Sequence, residues 1–520
     1  MKTHSEDNKR IAKNSIFLYI RSIIVMLVSL YTSRVVLAAL GFADHGLYNL
    51  VGSIVVMFNM FSATFVSSTQ RFLNVALGKN DQEQCCKVFS ASINIHFTLA
   101  GVLLLLMETV GLWMLNNQLN IPEERILAAN IVYQLSLITF VINLISIPYN
   151  AIIIANEKMK IFAFISIYEA TTKLLIAFAI KITHFDKLIT YSILLALLAL
   201  SIRAFYGLYC KRQFSQYKYK KIINKDLYRQ ILSISGWNFL GSSASILTVS
   251  GMGIIINLFT NVVVNSAKGI ASQVENVVKQ LVDNFMVSIK PQITKSYASD
   301  DNEYLKSLVS RGTRFAFILM SALCVPLIID AENILKLWLS NVPEYTTNFV
   351  QYTLIYIMII PFSNVLDTVL LASGKIKQSQ ITLSILQLLN LPFSCLILYL
   401  EMPPYMIYVS YILISYISLV VRLWFVDKYT CICTQFYLKT IIRPLFAYVA
   451  ILIIQSILLS QTIPLNGVER LIMIVAVTEI IIVVSCWHVV LNCEERKKLQ
   501  HILSNKLNSK IIFNKRHEKF

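Results

Sequence analysis

Fourteen apolar runs, each long enough to cross a bilayer, leave this chain few folds to choose from. They lie near 11–40, 44–69, 88–115, 126–154, 162–183, 188–210, 230–258, 268–290, 314–340, 348–372, 380–400, 405–426, 444–463 and 471–491. A hydrocarbon core about 30 Å thick takes about 20 residues of helix, and a backbone facing lipid must satisfy its hydrogen bonds internally. The spacing therefore predicts an all-α, polytopic membrane protein with about 14 transmembrane helices. A composition of 56% hydrophobic and 14% charged residues agrees. The polar gaps near 211–229, 291–313 and 492–520 are too short to bury cores of their own and read as loops and a tail.

Charge orients the spans. The net charge of +18 would suit nucleic acid, but the basic residues sit between apolar runs and not in a patch interleaved with aromatics, so no nucleic-acid partner is expected. With the N-terminus in the cytoplasm, the loops 70–87, 155–161, 211–229, 291–313, 373–379 and 427–443 and both ends share that side and hold nearly all the extramembrane Lys and Arg. The opposite loops contribute only Arg125, Lys187 and Arg470. That bias places both termini in the cytoplasm, which an even span count allows. The first apolar run continues to Leu40 with no small-residue cleavage site, so it is expected to be a retained span. Nine cysteines, including the adjacent Cys85 and Cys86 and the near neighbours Cys431 and Cys433, show no zinc-like or redox spacing. No metal, disulfide or cofactor is expected.

The chain also resembles itself. AIIIANEKMK at the end of the fourth run corresponds to TVLLASGKIK at the end of the tenth, matching Ala155, Lys158 and Lys160 with Ala372, Lys375 and Lys377. Gln70 corresponds to Gln292, and Gly46 to Gly269, at nearly the same spacing. Six spans per repeat is even, so both copies cross in the same sense about an axis along the membrane normal, with a binding cavity expected between them. The expected organisation is a six-helix bundle over 1–229, a second over 230–443, two additional spans over 444–491 and a basic cytoplasmic tail over 492–520.

The eighth run is the polar one. At 100° per residue, Lys268, Glu275, Lys279, Asp283 and Lys290 fall on one arc, with Ile270, Val274, Val277, Val278, Leu281 and Phe285 opposite. An ion facing hydrocarbon costs at least about 3 kcal/mol, so such a helix suits one wet face and one apolar face. A helix lying flat on the membrane surface is the other arrangement that this pattern allows. The first run adds Arg21, far from either end, and Arg34, which either lines the cavity or reaches the outer interface. The expected substrate cavity is therefore lined by Arg21, Arg34, Lys268, Glu275, Lys279, Asp283 and Lys290, and fixed positive charge there suits an anionic, phosphate-bearing substrate. Glu169 and Lys173, spaced i, i+4, read as a neutralised pair. Arg203 and Arg422 read as snorkelling residues, and Asp367 and Glu479 as isolated acids, either proton-linked or hydrogen-bonded and neutral. Pro148, Pro326, Pro361 and Pro392 interrupt spans and are candidate kinks.

Taken as a set, KNSIFLY…SRVVLAALG, GLYNLVG, STQRFLNVALGKND, SGWNFLGS and NSAKGIASQVENVVKQLVDNF…KPQITKSYA resemble the polysaccharide-biosynthesis, or O-antigen, flippases of the multidrug/oligosaccharidyl-lipid/polysaccharide exporter (MOP) superfamily. The resemblance covers about the first 440 residues well and the last two spans loosely. It implies a bacterial inner-membrane transporter that moves an undecaprenyl-pyrophosphate-linked oligosaccharide outward for O-antigen, capsule or exopolysaccharide assembly, beside membrane lipids and partners such as a polysaccharide polymerase. It supplies no set of site residues to carry over. No G-x-x-x-x-G-K-[ST] sequence is present, so an ion gradient is the expected energy source, with Glu275, Asp283 or Asp367 as candidate carriers. Two other readings stay open: a cation-exporting drug transporter of the same superfamily, and a membrane-bound glycan-modifying enzyme. The short outer loops and the absence of hydrolase motifs weigh against the enzyme.

Overall fold

The computed structural model describes residues 2–58, 69, 72–73, 76, 81–156, 158–214, 219, 225–339, 341–375, 377–462, 467–492, 495–497 and 500, with side chains from Arg21 onward except at 159, 230–231, 233–238, 240–242, 284, 287–288, 291, 295, 298 and 460–462. Gln70 and most of the 492–520 tail lie outside these residues. The longer helices are α1 (Lys2–Met57), α2 (Gln82–Leu106), α3 (Ile126–Ala155), α4 (Met159–Ile182), α5 (Lys187–Gln213), α6 (Lys225–Phe259), α7 (Val262–Ala298), α8 (Asn302–Ile329), α9 (Thr346–Ile357), α10 (Ile360–Ser373), α11 (Lys377–Leu388), α12 (Asn390–Tyr399), α13 (Ile407–Tyr429), α14 (Arg443–Thr462) and α15 (Gly467–Ser485). No strand occurs among the described residues.

Eleven helical segments among the described residues are long and apolar enough to cross a membrane. The fourteen apolar runs fall on the same helices. The first of the eleven, Arg21–Met57, holds the first run from Arg21 and the second as far as Met57, and α6 and α7 carry two more runs. The charges along α7 set it apart from the eleven. The two runs inside α1 part at Gly41, whose φ of 77° is a conformation that a side chain would strain. Large apolar side chains stay exposed along these helices, among them Leu105 at 69%, Phe164 at 74%, Ile182 at 78% and Phe446 at 76%. So much bare hydrocarbon is tolerated only where lipid is the solvent.

Two of the four prolines break their helices, and the break falls where sterics demand it. A proline ring clashes with the carbonyl four residues earlier. Accordingly α9 ends at Ile357, four before Pro361, and α11 ends at Leu388, four before Pro392. Pro148 and Pro326 stay inside continuous helices.

The chain divides into two compact units. One comprises Met1–Val277, Trp338–Tyr356 and Ile376–Val421, and the other Val278–Leu337, Ile357–Lys375 and Arg422–Phe520. In the first, Leu47, Leu50, Val51 and Ile54 of α1 join Ala129, Val132, Tyr133 and Leu137 of α3 and Ala177 and Ile180 of α4 in one buried cluster. A π-helical turn at Met107–Gly111 marks where the Tyr133 hydroxyl donates to the Met107 carbonyl at 2.7 Å. Gly111 is required there, because a Cβ would lie 2.0 Å from that hydroxyl. In the second unit Phe317 of α8 meets Phe362 at 5.1 Å and Tyr448 at 6.2 Å between ring centroids.

Candidate functional site

Within the first unit the C-terminal part of α1 lies against the start of α7 along a polar seam. The His45 ring nitrogen pairs with the Ser266 hydroxyl at 2.7 Å, and the Asn49 amide donates to the His45 carbonyl at 2.8 Å. Glycines permit this approach. A Cβ on Gly46 would fall 1.7 Å from the Val262 carbonyl oxygen, and one on Gly269 would fall 2.7 Å from the Asn49 amide. His45 and Ser266 are 221 residues apart, close to the spacing of the internal repeats. Contacts advance together along both helices, 46 on 262 and then 49 on 269, so the two run parallel at matching levels. Equivalent spans related by an axis along the membrane normal pack in this way.

Lys268 follows directly. It is buried on α7, with Nζ 3.3 Å from the Val249 carbonyl of α6 and Glu275 two turns on as an electrostatic partner. Glu275 is half-buried and also acts electrostatically on Tyr408 and Tyr411. Those two rings stack at 5.7 Å and 45°, Tyr356 stands edge-on to Tyr411 at 5.8 Å, and the Tyr411 hydroxyl donates to the Thr248 carbonyl at 2.9 Å.

A second polar region of the same unit lies among α1, α3, α4 and α5. A cavity of about 330 Å³ is lined by Tyr48, Asn143, Asn150, Glu169, Lys173 and Tyr206. Lys173 donates to Glu169 at 2.6 Å, the i, i+4 pair that the sequence predicts. Arg21 lies at its edge. Its guanidinium is 4.9 Å from the Phe162 ring centre and 3.4 Å from the Ser166 hydroxyl, its Nε has no partner, and it acts electrostatically on Tyr206. Among the described residues no carboxylate pairs with Arg21. No described contact joins it to Lys268, and Arg34 is exposed.

The remaining predicted residues belong to the second unit. Lys279 is half-buried, while Asp283 and Lys290 are exposed. Asp283 accepts from the Asn364 amide at 3.2 Å, and Lys290 acts electrostatically on Asp367. On the opposite face of α7, Ile270 and Val278 are each 2% exposed and Val274, Val277, Leu281 and Phe285 are half-buried. Burial also extends to the charged arc, where Lys268 and Met286 lie in line five turns apart and both are buried.

Two expectations are corrected. Asp367 is not an isolated acid and Arg422 does not snorkel freely: Nε of Arg422 lies 2.7 Å from Asp367 Oδ1, and its Nη1 reaches Ser363 at 3.3 Å. The fold brings α13 and α10 together, and a charge without water recruits its opposite. Arg203 likewise stands over the Tyr149 ring at 3.9 Å.

Sequence reasoning missed the ion clusters around Arg125 and Arg470. Arg125 donates through Nε to Asp44 at 2.9 Å and through Nη1 to Asp186 at 2.6 Å. Arg470 is held 2.9 Å from Asp330. Asp186 caps α5 by accepting from the amides of Leu188 and Ile189 at 3.0 Å each. Its burial opposes ionisation, but these amides and the Arg125 guanidinium together hold its carboxyl below the ordinary 3.8. The only available signal was acids beside bases in short loops, and partners so far apart in sequence cannot be matched from spacing.

The fold is one that solved membrane transporters share. Residues 241–396 match the MatE family model. A search of curated proteins finds no match. Among solved structures, the inward-closed lipid II flippase MurJ is similar at a TM-score of 0.68 and 13% identity, covering 91% of this chain and 98% of its own. An inward-facing multidrug-resistance MATE family transporter is similar at 0.66 and 12%, covering 80% and 98%. A MOP superfamily transporter from Pyrococcus furiosus, described by the reverse polarity of its binding pocket, is similar at 0.60 and 13%, covering 79% and 94%. At 12–13% identity these likenesses show a shared fold.

Proposed function

We propose that this protein is a flippase that moves an undecaprenyl-pyrophosphate-linked oligosaccharide from the cytoplasmic to the outer leaflet of a bacterial inner membrane, for O-antigen, capsule or exopolysaccharide assembly. One observation carries the reading. Among the described residues three acids inside the spans are partnered, Glu169 by Lys173, Asp367 by Arg422 and Asp283 by Asn364, whereas Arg21 and Lys268 have no carboxylate within ion-pair distance. A cation without an acid inside a membrane protein favours an anion that arrives from elsewhere, and pyrophosphate is such an anion. The similarity to the lipid II flippase over 91% of the chain supports it, since that likeness extends further along the chain than those of the MATE proteins.

The mechanism that fits is alternating access by the two repeats, 1–229 and 230–443, with 444–491 as added spans and both termini in the cytoplasm. The head group meets Arg21, Lys268 and Lys279, the prenyl tail remains in lipid, and no bond is made or broken. Glu275 and Asp283 serve as ion-coupling groups, and a polysaccharide polymerase takes the delivered product. Asp367 is a weaker coupling group than the sequence suggests, because Arg422 already engages it at 2.7 Å. Deleting the gene is expected to trap lipid-linked repeat units in the inner leaflet and to remove surface polysaccharide. Unchanged surface glycan together with lost efflux of a cationic dye would favour the second reading, a multidrug exporter, which the MatE match over 241–396 supports.

A further inference from the structure

The second unit holds a cavity unrelated to the groups discussed so far. About 530 Å³ in volume, it is bounded by the first turns of α8, by Phe436 and Thr440 before α14, and by Asn492 and Glu495 after α15. These segments come from 291–313, 427–443 and 492–520, which the positive-inside bias assigns to the cytoplasmic side. Three cations line it: Lys306, Arg311 and Arg314. Two carboxylates answer them, Glu495 and, at the exposed edge, Glu303.

The cations differ in how far they are engaged. Arg314 is engaged through all three nitrogens: it donates to the Ser310 carbonyl at 3.3 Å, the Val490 carbonyl at 2.6 Å and Glu495 at 2.8 Å, and is only 3% exposed. Glu495 spends its other oxygen on the Asn492 amide at 3.0 Å. Arg311 gives Glu495 only its Nε, at 3.2 Å, while its side chain is 41% exposed. Lys306 is half-buried, with no ion-pair partner among the described residues. The Ser310 hydroxyl is buried against the cavity and has no hydrogen-bond partner. A buried hydroxyl without a partner is unfavourable, so this donor on a residue at the wall of a basic cavity marks a place for an acceptor.

We propose that this cavity is a second anion site, separate from the transport path, in which Lys306, Arg311 and the Ser310 hydroxyl hold a phosphate group. Arg314 and Glu495 form the fixed wall behind it. The phosphate belongs either to the head group of an anionic lipid of the cytoplasmic leaflet or to a soluble phosphate compound, since both offer the same oxygens to the same donors.

The test is calorimetric titration of the full-length chain in detergent with dioctanoyl phosphatidylglycerol, dioctanoyl phosphatidylcholine and inorganic pyrophosphate. An anionic probe is expected to bind, and Lys306→Gln and Arg311→Gln each to weaken it about tenfold. Binding of phosphatidylglycerol alone assigns the site to lipid, and binding of pyrophosphate assigns it to a soluble ligand. Equal binding of phosphatidylcholine, no binding of either anion, or anion affinity unaltered by both substitutions overturns the proposal. If Arg311→Gln also lowers the melting temperature, Lys306→Gln decides, because no ion pair is lost with it.

Discussion

A guanidinium resting on one aromatic ring and one serine hydroxyl, as Arg21 does, is held in place without being neutralised. Replacing it should therefore cost function more than folding. Arg21→Ala, Lys268→Met and Lys279→Ala are expected to reduce translocation about tenfold each with near-normal amounts of folded protein. Comparing surface polysaccharide with membrane-protein level for each variant checks this, and a parallel loss of both would make these residues structural. Arg125 is the opposite case, since its partners Asp44 and Asp186 would be left as adjacent unpaired acids. Arg125→Ala should lower stability by about 1–3 kcal/mol, less than a fully buried pair because all three groups keep some contact with water. The Asp186 carboxyl is held below its ordinary value, so its stabilisation is complete above about 3.8 and is lost as pH falls through the depressed value. Melting temperatures should fall more steeply below pH 4 for the parent than for Asp186→Asn, which has already lost that contribution.

At the scale of elements, what could be read in advance was what depends on the chain's own periodicity. The apolar runs, the i, i+4 pair of Glu169 and Lys173, the amphipathic face of α7 and the interruptions at Pro361 and Pro392 all follow from local chemistry. The pairing of Asp367 with Arg422 and the clamp around Arg125 join residues tens of positions apart, and no spacing rule brings those together. The repeat spacing did foreshadow one tertiary contact, because it places Gly46 and Gly269 on helices that meet. The two glycines are not equally tolerant. At Gly46 a methyl group would strike the backbone carbonyl of Val262, which cannot move, whereas at Gly269 it would meet the Asn49 side chain, which can. Gly46→Ala should therefore destabilise by about 2–3 kcal/mol and Gly269→Ala by clearly less. Thermal unfolding of the two variants in detergent separates them, and equal losses would mean that the α1–α7 approach is looser than it is drawn here.

For the whole molecule, lipid is the solvent that makes the fold coherent, and charge is what suggests its use. Exposed Phe164, Ile182 and Phe446 belong against acyl chains, whereas Asp283 and Lys290, exposed on the polar face of α7, need water. The lining of one cavity by Lys306, Thr440 and Glu495 puts three of the segments assigned to the cytoplasm on one side. A reporter fused after the last residue should accordingly be active in the cytoplasm and silent outside. The central claim is that a phosphorylated lipid head crosses along cations such as Arg21, which has no carboxylate within ion-pair distance among the described residues. Its most direct test is reconstitution into vesicles with an undecaprenyl-pyrophosphate-linked oligosaccharide, reading the fraction exposed to an external glycosidase with time. The account predicts movement that the parent supports and Arg21→Ala largely abolishes. Vesicles in which the lipid-linked sugar stays put while a cationic dye is carried across would contradict it.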